Sequence, residues 1–283
     1  MRKLNRNHGS YRGETIAIET VLADIRAAAR GQGWREELLP VPGVGALVTL
    51  QRPARDNTAP GADPGRVAAR RVYLSAGIHG DEPAGPLAVR ELFVRRCWPA
   101  ALELCVCPCL NPTGMALNRR ENAAGADLNR DYRDRRTPEV RAHTAWLERQ
   151  PAFDVVICLH EDWEAQGFYL YELNPDERPS AAEQVVAAVA EVCPVDNSPV
   201  IDGRPARGGI IRPKVDLAGR PDWPEAFYLQ AHKTRHGYTL EAPSDFPLAM
   251  RVAALMRAVG VIAAAAAQGA AGTQTVAGGP GAG

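Results

Sequence analysis

An α/β fold, a single domain on a mixed and largely parallel central sheet with helices on both faces, follows from three features of the sequence. Apolar runs of strand length alternate with longer stretches of helical periodicity, the order a parallel sheet needs because each crossover takes a helix-sized connection. The 283 residues are 46% apolar and 23% charged, enough apolar surface for one sizeable core. No repeat or linker-like break divides the chain, so residues 1–268 count as one domain. Residues 269–283 are small, with no bulky anchor beyond Val276, and are expected to form a disordered tail.

The elements follow in order. Residues 14–31 place Ile16, Ile18, Val21, Leu22 and Ile25 at helical spacing and stop at Gly31 and Gly33, predicting a first helix. Residues 34–53 read as short strands around Pro42-Gly43, and residues 53–65 as a Pro/Gly/Asp-rich loop. Strands are predicted at 67–78, 102–110, 153–159 and 236–240, and helices at 83–96, 137–150, 180–192 and 247–268.

Composition narrows the function. The 33 Lys+Arg balance 33 Asp+Glu, so the charge excess that drives phosphate-backbone binding is missing and nucleic acid is not an expected partner. Residues 1–13 carry Arg2, Lys3, Arg6 and Arg12 without an apolar stretch, which does not suit a secretory signal and makes a cytoplasmic location the expectation. Residues 250–268 are mostly alanine and interrupted by Arg251 and Arg257, so no membrane span is expected. The six cysteines, at 97, 105, 107, 109, 158 and 193, are expected as free thiols in a reducing compartment. Cys105, Cys107 and Cys109 alternate along one predicted strand, too closely for a zinc knuckle, and read as small buried hydrophobes on one face.

Chemistry concentrates at the carboxyl ends of the predicted strands, where open α/β sheets bind ligands. The ends read Gly77-Ile78-His79-Gly80-Asp81-Glu82, Asn111-Pro112-Thr113-Gly114, His160-Glu161-Asp162 and Glu241-Ala242-Pro243. His79 and Glu82 are three apart at a strand-to-helix turn, and one metal ion could bind both. Catalytic zinc often takes two histidines and a carboxylate and leaves a fourth position for water, with His160 the natural third ligand. Between them, residues 120–130 form a polar loop whose arginines suit planar recognition of carboxylates or of a developing oxyanion.

In these residues the chain resembles the carboxypeptidase A-like zinc metallopeptidases and their deacylase relatives. His79-Gly80-Asp81-Glu82, Asn111-Pro112-Thr113-Gly114, residues 120–130 with Asp127-Leu128-Asn129-Arg130, His160 after an apolar strand, and Thr239-Leu240-Glu241 occur in the family's order over residues 67–245. The resemblance implies one Zn2+ per chain on His79, Glu82 and His160, with Glu241 as general base and proton shuttle. It implies Arg120 as the arginine that polarises the scissile carbonyl, and Asn129 with Arg130 as the pair that grips a free substrate carboxylate. The implied reaction is metal-assisted amide hydrolysis of a small peptide or acylated amino acid.

The departures bear on specificity. His160 is followed by Glu161, Asp162 and Trp163 instead of a small residue and an aromatic, and Glu161 or Asp162 is a candidate to favour a cationic substrate group. Tyr228 and Tyr238 are the candidates for a substrate-capping tyrosine. The His-Gly-Asp-Glu form and short N-terminal region look more like murein-peptide amidases and the succinylglutamate desuccinylase/aspartoacylase group than like secreted digestive enzymes. The Arg120-x-Asn122 spacing leans towards peptidases. An N-acyl amino acid deacylase is the alternative, and a catalytically silent binding protein a weaker one that Glu241 speaks against. His232 and His236 lack the glutamate of a His-Glu-x-x-His helix, and His8 and His143 read as solvated surface. Neither a Gly-x-Ser-x-Gly elbow nor a third glycine after Gly43-Val44-Gly45 is found, which sets aside serine hydrolase and dinucleotide-binding readings.

Overall fold

The structure, a computed structural model, describes residues 3–7, 14–54 and 69–271, the side chains of 269–271 excepted. The first helix is α1 (Ile18–Arg30), followed by the hairpin β1 (Arg35–Val41) and β2 (Gly45–Arg52). Next come β3 (Arg71–Ala76), α2 (Ala84–Val94), β4 (Glu103–Cys107), α3 (Pro112–Leu117), α4 (Pro138–Arg149) and β5 (Val155–Asp162). The second half holds β6 (Tyr169–Leu173), α5 (Ala182–Val189), β7 (Val200–Ile201), β8 (Arg204–Pro205), β9 (Ile210–Ile211), α6 (Glu225–His232), β10 (Gly237–Pro243) and α7 (Leu248–Ala271).

Eight strands form one sheet in the order β1-β2-β4-β3-β5-β10-β6-β9, with β7 and β8 a separate pair. The central β4, β3, β5 and β10 run parallel, while β2 and β6 join them antiparallel on either side. Strand alternation feeds two cores. Leu74, Ile157 and Leu240 face one way, under α1, α2, α5 and α7. Tyr73, Cys158 and Val156 face the other, under α4 and α6. Ile157 and Leu255 have no exposed surface, and burying such a chain fully contributes about 2 kcal/mol.

Several expectations are corrected. Strands β5 and β10 run on through His160 to Asp162 and through Glu241 to Pro243, because the ladder between them satisfies their backbones and polarity no longer ends a strand. The short β6 and helices α3 and α6 were not predicted from the sequence. His143 is buried in the second core, its Nε2 2.8 Å from the Tyr73 hydroxyl and its Nδ1 2.7 Å from that of Tyr132. Cys105 and Cys107 share that core, but Cys109 lies beyond the end of β4 and joins the first one; Cys97 is exposed. Residues 248–268 are long and apolar enough to cross a membrane by length and composition, yet Ala254, Leu255, Ala258, Val259, Ile262, Ala263 and Ala266 line the first core. Helix α7 continues to Ala271, into the segment expected as a tail. His8, the rest of that tail, most of the 53–65 loop and the start of the 67–78 strand lie outside the described residues.

Candidate metal centre and cleft

His79 and Glu82 stand in the turn from β3 into α2. Gly77 opens it at φ +60°, a conformation glycine adopts without a steric penalty. A Cβ on Gly80 would lie 2.0 Å from the carbonyl carbon of Gly114, so two turns meet backbone to backbone. Asn111 locks that meeting. Its Oδ1 caps α3 by accepting from Gly114 N at 2.8 Å, and its Nδ2 donates to the carbonyls of Ile78 and Arg120, each at 3.2 Å. His160 on β5 and Glu241 on β10 are direct partners in the parallel register, so both arrive at the same edge of the sheet.

The donor atoms of His79, Glu82 and His160 lie within 4.8 Å of one another, and all three residues are buried. Both imidazole Nδ1 atoms turn to the same carboxylate, at 2.5 Å for His79 and 3.0 Å for His160. Two nitrogens and a carboxylate oxygen are the donor set that catalytic zinc takes, and these residues fit it. Buried His79 Nε2 makes no hydrogen bond of normal length, and Asp127 Oδ1 stands 3.5 Å behind it, where a carboxylate orients a ligating imidazole.

The charges are strongly coupled. Burial works against a proton on His79, but Glu82 and Asp127 override it and raise its pKa to about 8. Burial likewise works against ionised Glu82, and the two histidines hold its pKa far below the usual carboxylate range. Glu241 goes the other way: burial, with Glu82 nearby, pushes it well above that range against the pull of His160. A carboxylate raised in this way is a strong proton acceptor when ionised.

Residues 120–130 wind around two side chains. Asn122 Oδ1 accepts from the backbone of Ala124 and Ala126, while Asp127 receives Arg120 Nε at 2.9 Å and the Asn129 backbone at 2.9 Å. Arg120 Nη1 reaches to 3.4 Å from His79 Nδ1. Asn129 Oδ1 accepts from Glu225 N at 2.8 Å, which fixes the amide orientation and leaves its N–H donors for the cleft that it lines. Arg130 is half exposed, with Nη1 on the Asn129 carbonyl at 2.9 Å and Nε 3.4 Å from Asp222.

These residues border one cleft of about 560 Å³, with Arg120, Asn129 and Arg130 on its wall and His79, Glu82, His160 and Glu241 also lining it. Of the specificity candidates, Asp162 lines the cleft and accepts from the Tyr169 hydroxyl at 3.0 Å. Glu161 borders it too, but its carboxylate is fully buried against Arg251 and the backbone of Ala84. The reading of Glu161 as a cleft-facing group is therefore corrected, since alternation along β5 sends it to the other side of the sheet from His160. Tyr228 sits in the second core, and Tyr238 in the first, where its hydroxyl accepts from Ala181 N at 3.0 Å. Neither lines the cleft. Tyr169 and Tyr171 do; Tyr169 is the register partner of Glu241, and Tyr171 donates to Asp202. The alternation in Phe168-Tyr169-Leu170-Tyr171 was the available sign of a strand there.

Residues 68–206 match the succinylglutamate desuccinylase/aspartoacylase catalytic domain. This stretch, just under half of the chain, is similar to that family. The match includes His79, Glu82, Arg120, Asn129, Arg130 and His160, while Glu241 follows it. Carboxypeptidase SOL1 of Arabidopsis thaliana is 34% identical over a stretch covering 34% of this chain and 24% of that protein, so the chain spans about a quarter of that relative's length. A candidate metallopeptidase of Shewanella denitrificans has the same fold at a TM-score of 0.73 and 21% identity, covering 90% of this chain and 97% of that one. A metallo-carboxypeptidase of Pseudomonas aeruginosa, in complex with (2-guanidinoethylmercapto)succinic acid, aligns at a TM-score of 0.60 and 18% identity, covering 86% and 67%. The resemblance to zinc carboxypeptidases and their deacylase relatives is borne out, and the fold is theirs.

Proposed function

We propose that the chain is a zinc-dependent metallocarboxypeptidase that hydrolyses an amide bond in a small substrate bearing a free carboxylate. One observation carries the reading: His79, Glu82 and His160 converge in the cleft that also presents Glu241, Arg120, Asn129 and Arg130. Bound to His79, Glu82 and His160, one zinc ion supplies a Lewis acid and lowers the pKa of water towards ~7. Glu241 takes a proton from the attacking water and passes it to the leaving nitrogen. Arg120, held on Asp127, presents fixed positive charge where the carbonyl oxygen becomes negative, an effect worth about 3 kcal/mol for a single donor elsewhere. The Asn129 N–H donors and the Arg130 fork receive the substrate carboxylate, a role supported by the succinate-derived ligand of the Pseudomonas aeruginosa relative.

The family match favours a second reading, an N-acyl amino acid deacylase using the same metal and base. One experiment separates them. Zinc-loaded protein is offered a peptide library and a set of N-acyl amino acids, each with free and amidated carboxyl ends. The carboxypeptidase reading expects release of C-terminal residues from free-acid peptides only. Preferential cleavage of acyl amino acids selects the deacylase, and equal hydrolysis of free and amidated forms sinks the carboxylate-binding role of Asn129 and Arg130.

A further inference from the structure

Helix α2 begins two residues after Glu82, and its own sequence does not finish its start. Its cap position is Pro83, no side chain there accepts a hydrogen bond, and its first turn has no acidic residue. Helix N-terminal amides need acceptors and favour negative charge. Here the acceptor comes from another element: Ala84 N donates to Glu161 Oε1 at 2.6 Å. Glu161 directly follows His160, so this bond joins the segment carrying His79 and Glu82 to the strand carrying His160.

The other oxygen of Glu161 is held as firmly. Arg251 Nη1 donates to Oε2, with Ser244 Oγ at 3.5 Å, and the side chains of both Glu161 and Arg251 are wholly buried. Arg251 also donates through Nε to the Phe246 carbonyl at 2.9 Å and through Nη2 to Glu14. Ser244 and Phe246 lie in the turn that leaves β10 just after Glu241. One buried ion pair, on the face of the sheet away from the cleft, thus touches all three elements that supply the proposed ligands and the base. Burying two charges is costly unless geometry requires them, and this pair meets at the back of the only described cluster of His, Cys, Asp and Glu able to hold a metal.

We infer that Glu161 and Arg251 are positioning residues for the metal centre: Glu161 caps α2 across the sheet and so sets the spacing of Glu82 and His160, and Arg251 holds Glu161 in place. The inference rests on reading His79, Glu82 and His160 as ligands. Its test compares two double variants that both remove the charges, Glu161→Gln/Arg251→Met and Glu161→Leu/Arg251→Met. Only the first keeps an acceptor for Ala84 N. Zinc affinity is measured by chelator competition, alongside circular dichroism and thermal midpoints of the metal-free proteins.

The glutamine pair keeps the acceptor for Ala84 N but loses the support of Arg251, so it should bind zinc with an affinity between those of wild type and the leucine pair. The leucine pair should bind about 10- to 100-fold more weakly than wild type, the usual scale for lost support of a ligand. A purely structural role would instead lower the metal-free midpoint of the leucine pair and leave its zinc affinity unchanged while folded; that result overturns the inference. If the leucine pair does not fold, Arg251→Lys carries the test. It keeps the charge but cannot bridge Glu161, Glu14 and the Phe246 carbonyl together, so zinc affinity should fall, and an unchanged value is again decisive against the proposal. Wild type that takes up no zinc, or a His160→Ala variant that keeps it, overturns the ligand assignment itself and is distinct from either result.

Discussion

Glu241 shows how much a single side chain's role depends on its surroundings. Its carboxyl is pushed upward by burial and faces the cleft without belonging to the compact cluster of His79, Glu82 and His160. Glu241→Gln preserves shape but removes the basic oxygen. Zinc occupancy, read by elemental analysis, should stay stoichiometric while turnover falls by at least ~100-fold; a variant with wild-type turnover rejects the proton-shuttle role. His160→Ala should behave oppositely and lose the metal. Asp162 carries the remaining part of the charge-specificity idea, now that Glu161 is committed to Arg251. Opposite charges at an accessible wall contribute on the order of 1 kcal/mol or less, which a competition assay can resolve. Peptides ending in Lys should compete better than those ending in Glu at low salt, and Asp162→Asn should narrow the difference. A preference unchanged by the substitution would assign specificity to another part of the wall.

At the scale of elements, the centre depends on turns that touch. The turn through Gly80, the cap of α3 at Asn111 and the start of the 120–130 loop are bound through backbone atoms, with Gly80 N donating to the Arg120 carbonyl at 3.3 Å. A methyl group at Gly80 would meet Gly114 and Met115 backbone at 2.0 and 2.3 Å, and backbone there cannot rotate aside as a side chain can. Gly80→Ala should therefore cost about 3 kcal/mol, the upper end of ordinary overpacking, and weaken zinc binding because His79 moves with the turn. A denaturation midpoint and a zinc titration near wild type would show that the two turns can separate without consequence.

For the whole molecule, acid stability should report on the second core. Burial alone holds the pKa of His143 down to about 3, from its ordinary 6.5. Its place in the network explains how it stays neutral: Tyr73 donates its hydroxyl proton to Glu225 at 2.9 Å, so His143 Nε2–H donates to Tyr73 and Nδ1 accepts from Tyr132. Above pH 6.5 the imidazole is neutral in both folded and unfolded chains. Below it the unfolded chain takes up a proton that the folded chain refuses until about pH 3, so stability falls across that window by up to ~1.4 kcal/mol per pH unit. Urea midpoints at pH 7, 5.5 and 4.5 should drop less steeply in His143→Gln, once corrected for the lower starting stability. Parallel slopes would mean that His143 is not kept neutral.

Local patterning in the chain is enough for the alternation of strands and helices and for the polar runs that follow the strands, though not for where β5 and β10 stop. Those features are local: apolar periodicity sets an element, and a polar run such as His79-Gly80-Asp81-Glu82 marks where it meets the ligand edge. Which way individual side chains face, and what they meet, depends on how the strands assemble. Glu161 and His160 are neighbours in the chain, yet strand alternation puts one on Arg251 and the other beside Glu82. His143 looked solvated because its partners, Tyr73 and Tyr132, come from other parts of the chain. Tyr169 faces the cleft because β6 pairs with β10. The cap of α2 could not be read from α2 at all, since its acceptor lies 77 residues away. Such contacts exist only after the sheet has formed, because no local periodicity records which distant strand will lie alongside.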